Sequence, residues 1–320
     1  MESEHMCGSE EAPRTIGKRK SDLVLPISIV IAAAFIAFSI LYRTGSGATR
    51  SEEITSNKNV SAAISNNAAL LEEAVIPSKG VMLPVRWGKL GADLVDNGVI
   101  DEQKLEALYG ERGGFTDEMR SFLKDKGSEG VVMNRENSGY LLNLFWALGL
   151  GAKNTILEKG PMMDPRYGGA GNFASTGGWT LAHGGAMNHY SQHSFFSLTS
   201  EQQALVEKVS QNIYRPCCGN STYFPDCNHG MAMLGLLELM ASQGVSETDM
   251  YAVALEVNSY WFPSNYLTIA SYMETNGISW DKVDPKQMLS AEFSSAEGYQ
   301  VIASKVKDSS LQGGGVGCGE

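Results

Sequence analysis

The chain has 320 residues, 43% hydrophobic and 19% charged, which is a globular rather than a disordered composition. Its 25 Lys and Arg against 36 Asp and Glu leave a net charge of −11, and this argues against nucleic acid as a partner because no basic surface attracts phosphate. Five Cys are too few for a disulfide-scaffolded mini-protein, and the length suffices to bury a real core.

Residues 1–22 read as a cytoplasmic tail. Leu23 to Tyr42 is a run of 20 uncharged residues. At ~1.5 Å per residue it reaches ~30 Å, the thickness of a bilayer core. Pro26 falls in its first turn, where a missing N–H costs little. Arg14, Lys18, Arg19 and Lys20 precede the run and place the N-terminus in the cytoplasm. The expectation is a single-pass anchor at 23–42 in the cell membrane, with the bulk of the chain extracytoplasmic. A cleaved signal peptide is the rival. Its apolar region is ordinarily ~7–15 residues, shorter than this run, although Gly45-Ser46-Gly47-Ala48 leaves cleavage open. Beyond residue 43 the chain holds 20 basic and 31 acidic groups, so the outer part carries the whole negative balance.

Residues 43–59 are small and polar and read as a linker. From 60 to 308 the periodicity is helical. Ala62, Ala63, Leu70, Leu71, Ala74 and Val75 suggest a first helix; Trp87, Leu90, Leu94 and Val95 a second, ending at Gly98. Asp101 to Tyr109 and the stretch opened by Thr116 follow. Asn137 to Leu150 is apolar nearly all round and too short to span a membrane, so it predicts a buried core helix. Residues 160–182 hold two Pro and six Gly with Phe173 and Trp179 between, which predicts a long anchored loop. Thr199 to Gln202 is a capping box for a helix to Tyr214. Helices are expected at His229–Ser242, from Ser246 to before Pro263, from Ser264 to Gly277, and from Ser294 to Val306. Residues 309–320 form a Gly-rich tail ending in Cys318-Gly-Glu. The predicted fold is mainly α, a multi-helix globular domain with long Gly-rich loops preceded by one transmembrane helix.

Cys and His are concentrated. His183, His189, His193, Cys217, Cys218, Cys227 and His229 lie within 47 residues. Thiolate and imidazole are the side chains that Zn and Cu prefer. His189 and His193 are four apart, so on a helix they would share a face and could chelate one ion, or simply line a polar face. Cys227 and His229 open a predicted helix, whose N-terminus favours thiolate. Cys217 and Cys218 follow a helix end at Arg215-Pro216. The expected first shell is Cys218, Cys227 and His229, completed by Cys217 or by His189 or His193. Zn is the safer ion and Cu the runner-up, and Asp226 is a weak candidate for a supporting partner or base. Two other readings stay open. Cys217 or Cys218 with Cys227 or Cys318 could serve thiol–disulfide chemistry, or a Cys218–Cys227 disulfide could merely stabilise a cell-surface domain. The common zinc-peptidase, thioredoxin, covalent-haem, nucleophile-elbow and phosphate-loop motifs are absent, so no reaction is indicated.

At Arg215-Pro-Cys-Cys-Gly-Asn-Ser-Thr-Tyr-Phe-Pro-Asp-Cys-Asn-His229, and again at Phe173 to Thr180, Pro161 to Met163 and the Gly-rich tail, the chain resembles an uncharacterised bacterial family. Its members are single-pass membrane-anchored proteins with an extracytoplasmic helical Cys/His domain. The resemblance implies topology and bacterial origin, and no activity.

Overall fold

Two helices that the sequence makes apolar on nearly every side must bury each other, and they do. In the structure, a computed structural model that describes residues 67–124 and 130–310, Ser138–Gly151 (α5) packs lengthwise on Asn228–Ser242 (α9). Ten residues of α5 and twelve of α9 are buried. Glycines set their separation. A Cβ on Gly149 would sit 2.1 Å from the Met231 carbonyl oxygen, and one on Gly235 would sit 2.5 Å from both the Gly149 nitrogen and the Phe145 carbonyl oxygen. The two backbones touch there, and no side chain fits between them.

The other elements wrap this pair. Residues 67–75 are helical (α1). They are followed by Leu90–Asp96 (α2), Glu102–Gly110 (α3) and Asp117–Ser121 (α4). Thr155–Lys159 (α6) and Ala174–Gly177 (α7) are short. Ser200–Ser210 (α8) packs on α9, and Glu247–Trp261 (α10), Pro263–Thr275 (α11), Pro285–Met288 (α12), Ala291–Ser294 (α13) and Ala296–Ser310 (α14) close the far side. The ends obey local chemistry. Asp101, Thr116, Asn154 and Ser246 accept backbone N–H bonds as caps, and Thr199 with Gln202 forms the full capping box. Pro263 opens α11 at its first position, where no N–H is needed.

The mainly helical fold is as expected, with local differences. Val81–Leu83 (β1) and Val131–Met133 (β2) pair antiparallel, Val81 opposite Met133, because Leu83, Val131 and Met133 reach the core while Met82 and Val132 face out. Three-residue strands are too short to show a readable alternation. Helix α8 stops at Ser210 rather than Tyr214. Residues 211–223 instead fold back, with Thr222 N donating to Ile213 O and Tyr223 N to Ser210 O. The long 160–182 stretch is a chain of 3-10 turns with α7. The expected anchor at 23–42, the linker, the cytoplasmic tail and Cys318 lie outside the described residues. Among the described residues no helix is long and apolar enough to cross a membrane.

One acid is buried inside this core. Glu238 on α9 is fully buried; Asn154 Nδ2 donates to its Oε1, and its Oε2 has no partner among the described residues. Burial pushes its pKa well above the usual carboxylate range. A raised pKa contributes stability that is complete below the unfolded value and is lost as pH rises through the folded one. Glu238→Gln is therefore expected to match the parent in melting temperature near pH 4 and to exceed it by a growing margin toward pH 8. Calorimetry across that range reads it. Gly235→Ala is expected to cost about 3 kcal/mol in chemical denaturation, because the α5 backbone cannot retreat.

Candidate metal centre

The candidate site grows from the loop that α8 feeds and α9 ends. Pro216 follows Arg215, and Cys218 N donates to Arg215 O at 3.2 Å, so the chain turns and sets Cys217 and Cys218 side by side. The Cys218 carbonyl accepts from Ala296 N at 3.0 Å, which ties the turn to the start of α14. Cys227 is the N-cap of α9, its Sγ accepting from Gly230 N at 3.4 Å. Local capping thus aims a sulfur at the positive end of a 15-residue helix.

The three sulfurs meet. Cys217 Sγ lies 3.5 Å from Cys218 Sγ, and each lies 3.6 Å from Cys227 Sγ. All three are free thiols; Cys217 is exposed, and the other two are half-buried. They form a near-equilateral triangle of donor atoms that could hold one metal ion.

A buried cation underlies it. Arg215 is 1% exposed. Its Nε donates to Cys227 Sγ at 3.2 Å, one terminal nitrogen to Asn220 O at 2.9 Å, and the other to Asp226 Oδ1 at 2.7 Å and to Phe224 O. Asn220 Nδ2 holds the other Asp226 oxygen at 2.8 Å. The guanidinium lies flat across the first turn of α9, where a Cβ on Gly230 would come within 2.4 Å of it. Burial works against its charge, but Cys227, Cys218 and Asp226 more than offset that and hold its pKa above the usual value.

The thiols divide the work. The Cys217 and Cys218 S–H groups donate to Cys227, which lowers its pKa far below a normal thiol; burial opposes this, and His229 and Arg215 reinforce it. Cys217 is pushed up because the proton it donates to Cys218 and Cys227 is held. For Cys218 the bond from Cys217 lowers the pKa, yet its own bond to Cys227 and its burial prevail, and it is pushed up to about 11. One thiolate, two S–H donors and a buried guanidinium make a site with a single negative charge shared among three sulfurs.

Of the six residues expected to ligate, the structure brings Cys217, Cys218 and Cys227 together. His229 interacts with the Cys227 sulfur, and its ring lies on Phe262 at a centroid distance of 4.4 Å and against Trp261. It is not among the donor atoms that lie mutually within 4.8 Å. His189 and His193 also stand outside that group and pair with each other, Nδ1 to Nε2 at 3.1 Å. His189 follows the 3-10 turn Ala186–Asn188 and His193 forms an isolated parallel bridge with Ala152, so the two are not on a helix, and Ser191 between them takes φ 56°. His189 Nε2 is bonded to His183 O at 2.9 Å, and burial, then the neighbouring His189, lower the pKa of His193. The Asp226 carboxylate is engaged by Arg215 and Asn220. Arg215 itself had no sequence signal beyond its place before Pro-Cys-Cys, because its role depends on being covered by α9.

The chain matches no protein-family model, no curated protein and no solved structure. The class of the site rests on its own chemistry, a three-thiol cluster on a mainly helical frame.

Replacing the cation tests the electrostatics. In the parent protein Cys227 is expected to alkylate already at pH 6, ahead of Cys217 and Cys218, as mapped by peptide mass spectrometry. Arg215→Met removes a donor to its thiolate and shifts that onset upward. It also costs about 3 kcal/mol of stability, because the half-buried Asp226 loses its cation.

Proposed function

We propose that this protein binds a transition-metal ion through the thiolates of Cys217, Cys218 and Cys227, in a domain held at the outer face of a membrane by the apolar run at 23–42. The observation that carries the reading is the sulfur triangle with edges of 3.5–3.6 Å. Such a triangle has its centre about 2.1 Å from each sulfur, so an ion at the usual Zn–S distance of ~2.3 Å stands about 1 Å out of the plane. That is a pyramidal base with one open position, which suits Zn with a fourth donor. A planar three-sulfur ion at a similar bond length needs edges of about 4 Å, so Cu takes second place. Charge agrees with this order. With Arg215 already paired to Asp226, a dication leaves three thiolates about one negative charge in excess, where a monocation leaves about two.

The fourth position goes to His229 after a ring rotation, or to water or an outside ligand. Closed by His229 the centre is structural; open, it presents a Lewis acid or a transferable ion. The proximity of the three thiols also favours a second reading, thiol–disulfide exchange with a substrate disulfide: the Cys227 thiolate attacks it and expels one of its sulfurs as a thiolate, and Cys217 or Cys218 then attacks the mixed disulfide, leaving a bridge to Cys227 and the reduced dithiol substrate.

Elemental analysis of the full chain after metal-replete expression separates them. About one equivalent of Zn, lost in Cys227→Ser, supports the metal centre. Less than about a tenth of an equivalent, with a Cys227 bridge found by mass spectrometry, supports the disulfide. Because Cys227 is already a thiolate and its two neighbours are not, binding is expected to release about two protons per ion near pH 7 and to tighten as pH rises. Calorimetry in buffers of different ionisation enthalpy counts them.

A further inference from the structure

A cleft of about 320 Å³ opens beside α5, at the lower end of the ~300–1,000 Å³ range of small-molecule sites. Its floor is one face of α5, where Gly139, Asn143 and Trp146 recur at helical spacing. The C-terminal end of α3 with Arg112 forms one wall. Residues 178–181 and Asn228 form the other. Asn143, a polar residue within the largely apolar α5, falls on this face.

The polar groups here are held in place and unspent. Asn143 Nδ2 donates inward to the Tyr109 hydroxyl at 2.8 Å, and its Oδ1 accepts no hydrogen bond from any described residue. Asn228 Oδ1 accepts from His229 N at 2.9 Å, and its Nδ2 donates to no described residue. Across the cleft stand one fixed acceptor, one fixed donor and the exposed Thr180 hydroxyl. Trp146 is locked by its Nε1 bond to Ser175 O at 2.6 Å and by edge contact with Trp179, centroids 4.9 Å apart. Arg112 is exposed at the rim, and its guanidinium makes no hydrogen bond or ion pair with any described residue. Of the residues lining the cleft only Arg112 is charged, so an anionic group on a ligand meets this one partner.

We propose that this cleft binds an acidic sugar, a pyranose ring lying across Trp146 with its carboxylate on Arg112 and its hydroxyls between Asn143 and Asn228. An indole floor with donors and acceptors at its rim matches a ring that is apolar on its faces and polar at its edges. An apolar acid would desolvate both amides without replacing their bonds, and a neutral sugar would leave the guanidinium unused. A phosphate ester is disfavoured because a single cation, and no run of backbone N–H groups, faces the rim. The site is separate from the thiol cluster, although Asn228 follows Cys227 directly and Ser175, which fixes Trp146, donates its N–H to Asp226 O at 3.1 Å.

The test is titration of the full chain with glucuronate, glucose and acetate, followed by tryptophan fluorescence and by saturation-transfer NMR on the sugar protons. Glucuronate is expected to saturate below ~10 mM. Arg112→Gln weakens it about tenfold, toward glucose, as loss of a charged hydrogen bond does. Gly139 is exposed, and a Cβ there meets nothing within 4 Å, so Gly139→Phe fills the cleft without disturbing the core and abolishes binding. Unchanged melting and unchanged Cys227 alkylation show that both variants fold. No saturable response to glucuronate, binding of acetate as tight as that of glucuronate, or a Gly139→Phe variant that binds normally each overturns the proposal.

Discussion

The backbone contact between Gly149 of α5 and Gly235 of α9 is the constraint on which everything else rests. It brings two nearly all-apolar helices to van der Waals distance and fixes their relative register. That register decides where the first turn of α9 falls, and the first turn carries Cys227, Asn228, His229 and Gly230. The same contact holds the polar face of α5 outward, toward α3 and the 178–181 segment. Both the sulfur cluster and the cleft are thus set out along one pair of helices.

Around that frame the electrostatics are arranged from the inside. Arg215 is almost wholly covered, and a guanidinium taken from water must be compensated. Asp226, two backbone carbonyls and the Cys227 sulfur surround it. The cost of burying the cation is offset by stabilising an anion on sulfur, which is the form of cysteine that binds metals or attacks a disulfide. Gly230 is what lets the guanidinium lie against the helix. A larger residue there would push it toward solvent and weaken its hold on the thiolate.

Glu238 shows the opposite solution in the same helix. It has no cation, so burial keeps it protonated, with Asn154 as its partner. One helix thus holds a sulfur driven toward its anion at the N-terminus and a carboxyl driven toward its neutral form in the middle. The difference is the company each keeps: Cys227 has the helix N-terminus, two S–H donors and Arg215, whereas Glu238 has a single amide and otherwise apolar surroundings.

Much of this was legible in the residues alone. The helical period of 137–150 and 229–242, the caps at Asp101, Thr116, Thr199 and Ser246, and the loop across 160–182 are local properties that short-range chemistry dictates. The clustering of Cys and His in one window was equally plain. What the sequence could not show is which of those groups share a centre. Cys217 and Cys218 meet Cys227 because residues 211–223 fold back after α8, whereas His189 and His193 turn to each other because Ser191 bends the chain between them. The strands, the buried Arg215 and the lone polar face of α5 likewise became visible only in three dimensions. Periodicity and capping act over a few residues and can be read one stretch at a time, whereas the environment of a sulfur or a cation is set by neighbours far away in the chain, which only packing brings near.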